Sequence, residues 1–234
     1  MAETAKTVSQ ALQVLAALGR NGGQTIAELT RELGLARTVV QRLLVTLQAE
    51  HYLHRDPDGR YQLGLALVEL AARVDHPVRR AAQRPMLALF DQLGETVALT
   101  VREADEAVSA DQLVAPGQLV RAEYPTGFRH PLTVAAAGRA ILAWADPVTV
   151  ARLTAGRPAL GPELDEVRRR GYAYSSDELG HGATGLAAPI LDRSGWAVAS
   201  LGVIAPNARF PAEAAVAGPV VQAARAATEA LRAG

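Results

Sequence analysis

Apolar positions fall three and four apart through the first quarter of the chain. Further on they alternate with polar ones in several short runs. The first run, Val8 to Leu18, puts Val8, Ala11, Leu12, Leu15 and Leu18 on one stripe, with Gly19 where a helix would stop. Thr25 precedes a second run, and Glu28 follows three residues later. That is capping-box spacing, in which hydroxyl and carboxylate each satisfy a free amide at a helix start. Ile26, Leu29 and Leu33 share a face, Gly34 can take the left-handed conformation of a tight turn, and Leu35 is placed to plug into a core. A third run, Arg37 to Glu50, buries Val40, Leu43, Leu44 and Leu47. It turns Arg37, Thr38, Gln41 and Arg42 outward. Tyr52 to Arg55 and Arg60 to Leu63 then flank Asp56-Pro57-Asp58-Gly59, a hairpin signal with an arginine on either side. Two short helices about a tight turn, followed by a basic hairpin, predict a winged helix-turn-helix whose second helix enters the major groove of DNA.

Leu65 to Val74 reads as a strongly apolar helix, broken by Asp75-His76-Pro77. A small module alone would cover it poorly. Two readings stand: a dimerisation helix that brings two winged modules to two half-sites, or a helix folded back on its own wing. The pattern divides the chain into a DNA-binding module at 1–64, a linker helix at 65–76 and a second domain at 77–234. In that domain a helix over Pro77 to Leu93 ends at Gly94. Strands follow over 96–101, 107–114 and 119–124. Pro125 to Pro131 reads as a loop. Thr133 is placed to cap a helix over 135–144, and 149–153 and 160–170 are helical. The stretch from Gly171 to Gly185 reads as irregular. Strands at 186–191 and 196–204 form a hairpin, and Ala212 to Arg232 is a closing helix. The fold class is α+β, a sheet with helices against it.

Composition narrows the function. The 234 residues carry 24 basic and 24 acidic side chains, so a surface basic throughout is excluded while a locally basic module is not. Residues 31–60 hold arginines 31, 37, 42, 55 and 60 against acids 32, 50, 56 and 58, a small excess. The absence of cysteine removes disulfides, thiol nucleophiles and thiolate metal sites. No apolar run approaches a membrane span, so the expected location is the cytoplasm with no membrane partner.

Together these motifs resemble the IclR family of bacterial transcriptional regulators, over nearly the whole chain. The resemblance rests on residues 27–44 (Ala-Glu-Leu-Thr-Arg-Glu-Leu-Gly-Leu-Ala-Arg-Thr-Val-Val-Gln-Arg-Leu-Leu), the wing end Gly59-Arg60-Tyr61-Gln62-Leu63-Gly64, and Gly94-Glu95-Thr96-Val97. It continues through His130-Pro131-Leu132-Thr133 into Val134-Ala135-Ala136-Ala137-Gly138-Arg139-Ala140, then Arg170-Gly171-Tyr172-Ala173 and Gly185-Leu186-Ala187-Ala188-Pro189-Ile190. It implies a winged helix-turn-helix, a linker helix and a GAF-like effector-binding domain, an antiparallel sheet with flanking helices. It also implies a homodimer, often a dimer of dimers, with double-stranded operator DNA and a small organic acid as partners, and no cofactor or metal. The DNA-facing residues it implies are Thr25, Arg37, Thr38, Val39, Gln41, Arg42, Arg55 and Arg60. In members that bind small carboxylates such as pyruvate, helix-start amides grip the ligand, with an aspartate, a cysteine and two serines. The matching positions here are Ala136 and Ala137 for the amides, then Ser175, Gly185, Gly202 and Ile204, with Leu119, Ala122, His130 and Ala183 at the rim. Four polar anchors thus become one hydroxyl, two glycines and an isoleucine. The glycines add volume and Ile204 adds apolar surface, so the implied effector is larger or less polar, an aromatic or acyl acid with its carboxylate on the helix amides. The alternative is a domain packed shut that senses nothing.

An enzyme reading finds little support. His51, His54, His76, His130 and His181 have no Asp or Glu at metal-ligand spacing, and no nucleophile elbow, P-loop or dinucleotide fingerprint is present. Asp177-Glu178 can be read as a carboxylate pair, but adjacent acids in a loop are expected to be solvated.

Overall fold

The computed structural model describes residues 4–74, 76–115, 122–180 and 182–234. The expected strand at 119–124 falls partly outside these residues, and its described part, 122–124, is not a strand. The chain divides into two compact units, 1–75 and 76–234.

In the first unit, α1 (Lys6–Asn21), α2 (Ile26–Leu33) and α3 (Arg37–Ala49) enclose a core of Val14, Ala17, Leu18, Leu29, Val40, Leu43, Leu44 and Leu47. Two expectations for α1 are corrected. Gly19 does not end it, because the helix runs to Asn21 and the Gly22 N–H caps the Leu18 carbonyl. Of its expected stripe, Leu18 is buried and Ala11 and Leu15 pack partly against the core, Val8 and Leu12 lie 58% and 60% exposed, and Val14 and Ala17 are buried beside them. The capping box at Thr25 and Glu28 forms, and Gly34 closes α2 at φ 63°. The wing is β1 (Leu53–Arg55) paired with β2 (Tyr61–Leu63), widened by a bridge from Gln24 to Tyr61. The expected apolar linker is the shorter helix α4 (Ala66–Ala72). None of its residues is buried, and neighbouring Leu65 and Val74 are exposed as well.

The second unit opens with α5 (Pro77–Leu93). Among its described residues, β3 (Thr96–Glu103), β4 (Glu106–Leu113), β5 (Arg129–Pro131), β6 (Ala173–Ser176), β7 (Ala183–Leu191) and β8 (Ala197–Pro206) form one sheet in the order β5-β4-β3-β8-β7-β6, all neighbours antiparallel. Two segments expected to be irregular are therefore strands, because β5 and β6 gain ladder partners at the sheet edges that a local reading of sequence does not contain. Alternation along β3 and β8 separates two cores. Val97, Leu99, Leu201 and Val203 pack on α5 and the closing helix α9 (Glu213–Ala233). The opposite face meets α6 (Ala135–Ala143), α7 (Pro147–Thr154) and α8 (Leu160–Arg170).

Candidate functional site

Each unit carries one candidate site. On α3, Thr38, Gln41, Arg42, Val45 and Thr46 line one shallow surface depression. Their spacing of three and four makes them one helical face. Arg37 and Arg42 are exposed, and neither pairs with a carboxylate among the described residues. Nearby acids are instead engaged within the unit. Glu32 takes Arg20, Asn21 and Gln24, and Asp56 takes the Arg60 N–H and Gln62. The small excess of arginine by count thus becomes a concentrated excess of free guanidinium on α3.

The remaining DNA-facing candidates are placed differently. Val39 is half-buried against the core. Thr25 is committed to its capping box, where its hydroxyl accepts the Glu28 N–H at 3.3 Å and donates to the Glu28 carboxylate at 3.0 Å. Arg60 is tied to the same carboxylate at 2.8 Å and to the Gly23 carbonyl at 2.8 Å. Thr25, first, with Arg60 holds Glu28 below the usual carboxylate range. Arg55 donates to the Gly59 carbonyl at the wing tip and lies over the Tyr61 ring. Val45 and Thr46, not among the sequence candidates, share the face of α3 with Thr38, Gln41 and Arg42, and Val45 is apolar and 60% exposed.

In the second unit a cleft opens beside the start of α6. It holds about 670 Å³ of atom-free space, its mouth included. Of the positions the family resemblance implies, His130, Ala136, Ala137, Ser175, Ala183, Gly185, Gly202 and Ile204 line it. Ser175, Gly185 and Ile204 form one cross-strand row over β6, β7 and β8. Ala122 is half-buried and not part of this wall, while Leu119 and His181 lie outside the described residues.

The two glycines are unlike. A Cβ at Gly185 would meet its nearest neighbour at 3.7 Å, ordinary contact, so this glycine does leave room. A Cβ at Gly202 would lie 2.5 Å from the Leu186 carbonyl oxygen and 2.8 Å from the Ala187 Cβ. Gly202 therefore serves the approach of β7 to β8, and the expectation that it enlarges the cleft is corrected.

The helix amides also differ from expectation. Thr133 does not cap α6. The Ser175 hydroxyl accepts the Ala136 N–H at 2.9 Å, and the Glu178 carboxylate accepts the Ala135 N–H at 2.9 Å. Of these three amides, only that of Ala137 has no side-chain cap among the described residues. Ala135 sits at φ 62°, a strained conformation for a residue with a Cβ. Asp177 and Glu178 are both exposed, as expected of adjacent acids in a loop, yet both are engaged: Glu178 grips Arg139, and Asp177 holds the Gly182 N–H and Asn207.

Other lining residues were not anticipated. Tyr124 stacks on Phe128 at 4.9 Å, and Phe128 lies 6.1 Å from the tilted His130 ring. Burial pushes the His130 imidazole below its ordinary value, and its Nδ1 lies 3.1 Å from the Pro131 carbonyl oxygen. Thr100, Ser109 and Gln112 add polar groups from β3 and β4.

Both units match known proteins. The pattern of the IclR helix-turn-helix domain matches residues 7–57, and that of the bacterial transcriptional regulator IclR C-terminal region matches 71–232. The transcriptional regulator KdgR of Escherichia coli is 30% identical over 227 residues, covering 90% of this chain and 86% of its own. Among solved structures, an IclR-type regulator from Alicyclobacillus acidocaldarius superposes with a TM-score of 0.85 at 26% identity, covering 97% of this chain and 99% of its own. A homolog from Microbacterium hydrocarbonoxydans, solved with 4-hydroxybenzoate, superposes with a TM-score of 0.84 at 23% identity, covering 98% of this chain and 100% of its own. These matches, over nearly the full length of a chain with an exposed polar face on α3 and a cleft at the start of α6, establish that it is a DNA-binding transcriptional regulator of the IclR family.

Proposed function

We propose that the chain binds a specific operator through Arg37, Thr38, Gln41 and Arg42 of α3, and that an aromatic or acyl organic acid in the α6 cleft sets its operator affinity. The observation that carries the effector reading is the character of the cleft: the stacked Tyr124 and Phe128 rings on one side and alanine and Ile204 surface on the other, with polar side chains set between them. Such a lining suits an apolar body better than a three-carbon acid. The Microbacterium relative, bound to 4-hydroxybenzoate, supports that ligand class by analogy. The effector must bind the operator-competent and operator-incompetent states with different affinity. The protein acts where its operator is, in the cytoplasm, as a homodimer or dimer of dimers. The uncovered Leu65, Val68, Leu70 and Val74 around α4 supply the apolar surface for pairing.

Operator selection from random duplexes, followed by titration of aromatic and acyl acids into the protein–operator complex, tests this. An enriched motif whose affinity responds to an acid supports it. No enrichment removes the DNA reading. An enriched motif with no acid response, and no thermal stabilisation by any acid, favours the second reading, a domain that senses nothing. That reading draws on the capping of the Ala135 and Ala136 amides by the chain's own side chains.

A further inference from the structure

Pairing of β3 with β4 contains an irregularity. Leu99 faces Asp111, but the next residue, Thr100, faces Ser109, so β4 carries one extra residue at this point. Such a bulge re-aims the side chains beyond it. Ala110 packs toward the α5 core, and the next residue, Asp111, bonds Arg79 of α5 at 2.7 Å, so two consecutive residues serve the same face. Ser109 and Gln112, three apart in sequence, are thereby both delivered to the cleft. In an unbroken strand they would point to opposite sides.

The result is a small polar patch on an otherwise apolar wall. Thr100 and Ser109 are direct cross-strand partners, only 6% and 7% exposed, and Gln112 stands beside them. Among the described residues none of the three side chains makes a hydrogen bond; Gln112 is engaged through its backbone N–H alone, which donates to the Asp111 carboxylate at 2.9 Å, and all three residues line the cleft. The aromatic side is fastened to the same place, because the Ser109 N–H donates to the Phe128 carbonyl at 2.9 Å and the Gly127 N–H to the Ser109 carbonyl at 2.7 Å. Two hydroxyls and an amide without charge, beside stacked rings, match a neutral group that both donates and accepts.

We infer that Thr100, Ser109 and Gln112 read a hydroxyl on the ring of an aromatic effector, and so set specificity within the cleft. The inference rests on the proposal that an aromatic acid binds there. A site built to hydrogen-bond a hydroxyl discriminates strongly against the analogue that lacks it, because its own polar groups are then left unpaired.

Calorimetric titration of the full chain with benzoate and the three monohydroxybenzoates is the test. At least one hydroxybenzoate is expected to bind about 10-fold or more tightly than benzoate. Thr100→Val with Ser109→Ala, and separately Gln112→Met, should shrink that preference to roughly 2-fold, by weakening hydroxybenzoate binding and relieving the penalty that unpaired polar groups place on benzoate. Thr100→Val alone is nearly isosteric and guards against misfolding of the double variant. Equal binding of all four acids overturns the hydroxyl reading and leaves the effector reading standing, as does a preference that survives the substitutions. Binding of none of them overturns the hydroxyl reading and counts against the aromatic half of the effector proposal, which then stands on acyl acids.

Discussion

Glu178 grips Arg139 of α6 with both carboxylate oxygens, and one of those oxygens also accepts the Ala135 N–H at 2.9 Å. Arg139 is 5% exposed and meets Glu163 as well. Arg139 in turn holds the Glu178 carboxyl below its ordinary range. Removing Glu178 strands a buried guanidinium and frees a strained helix start. Glu178→Ala should cost about 2 kcal/mol, and Glu178→Gln, which keeps an acceptor for the amide, less. Urea midpoints of the three proteins measure this. Equal midpoints would mean that solvent replaces the pair without loss.

Two kinds of arginine are separable on the winged unit. Arg42→Ala or Thr38→Ala should leave melting unchanged and weaken binding to the selected operator by about 1–3 kcal/mol each. Arg60→Ala should lower the melting temperature, because it unties Glu28 and the Gly23 carbonyl. A normal operator affinity in Arg42→Ala would remove α3 as the reading helix.

Much of this unit was legible beforehand because its signals are local. Thr25 and Glu28 lie three residues apart, Gly34 closes the turn, and Asp58-Gly59 closes the wing. The buried face of α1 was partly misread because Val8 and Leu12 fit the helical period yet extend past the small core that Val14, Ala17 and Leu18 reach. In the second unit β3, β7 and β8 were legible from alternation. β5 and β6 were not, since each is an edge strand of three or four residues defined by its neighbour. The cleft positions on β7 and β8 came from the family resemblance. Thr100, Ser109 and Gln112 were hidden by the bulge, which breaks the period-two rule that would have grouped them.

Gly185 and Gly202 should respond differently to one methyl group. Gly202→Ala should destabilise by about 1–3 kcal/mol through overpacking against β7. Gly185→Ala should melt near the parent and change effector affinity instead. Thermal melts with and without a bound benzoate separate the two effects, and equal melting of the two variants would contradict the packing geometry.

His130 gives the cleft a pH dependence with a defined sign. Burial holds its imidazole below the ordinary 6.5, so between those two values the unfolded chain binds a proton that the native one does not. Its contribution is fully present above about 6.5 and is lost as pH falls toward the native value, below which the loss levels off. His130→Phe should flatten this part of the stability curve. Melting temperatures from pH 7.5 to 5 for both proteins test it, and parallel curves would assign the dependence elsewhere.

The open space at Gly185 has a practical consequence in a chain without a single cysteine. Gly185→Cys would create the molecule's sole thiol, on the cleft wall, with ordinary contacts on every side. Its rate of modification by a thiol reagent would then report cleft occupancy directly, since any molecule seated against β7 shields the sulfur. The position at which the family resemblance places a ligand-gripping cysteine becomes, in this chain, a place to install a reporter.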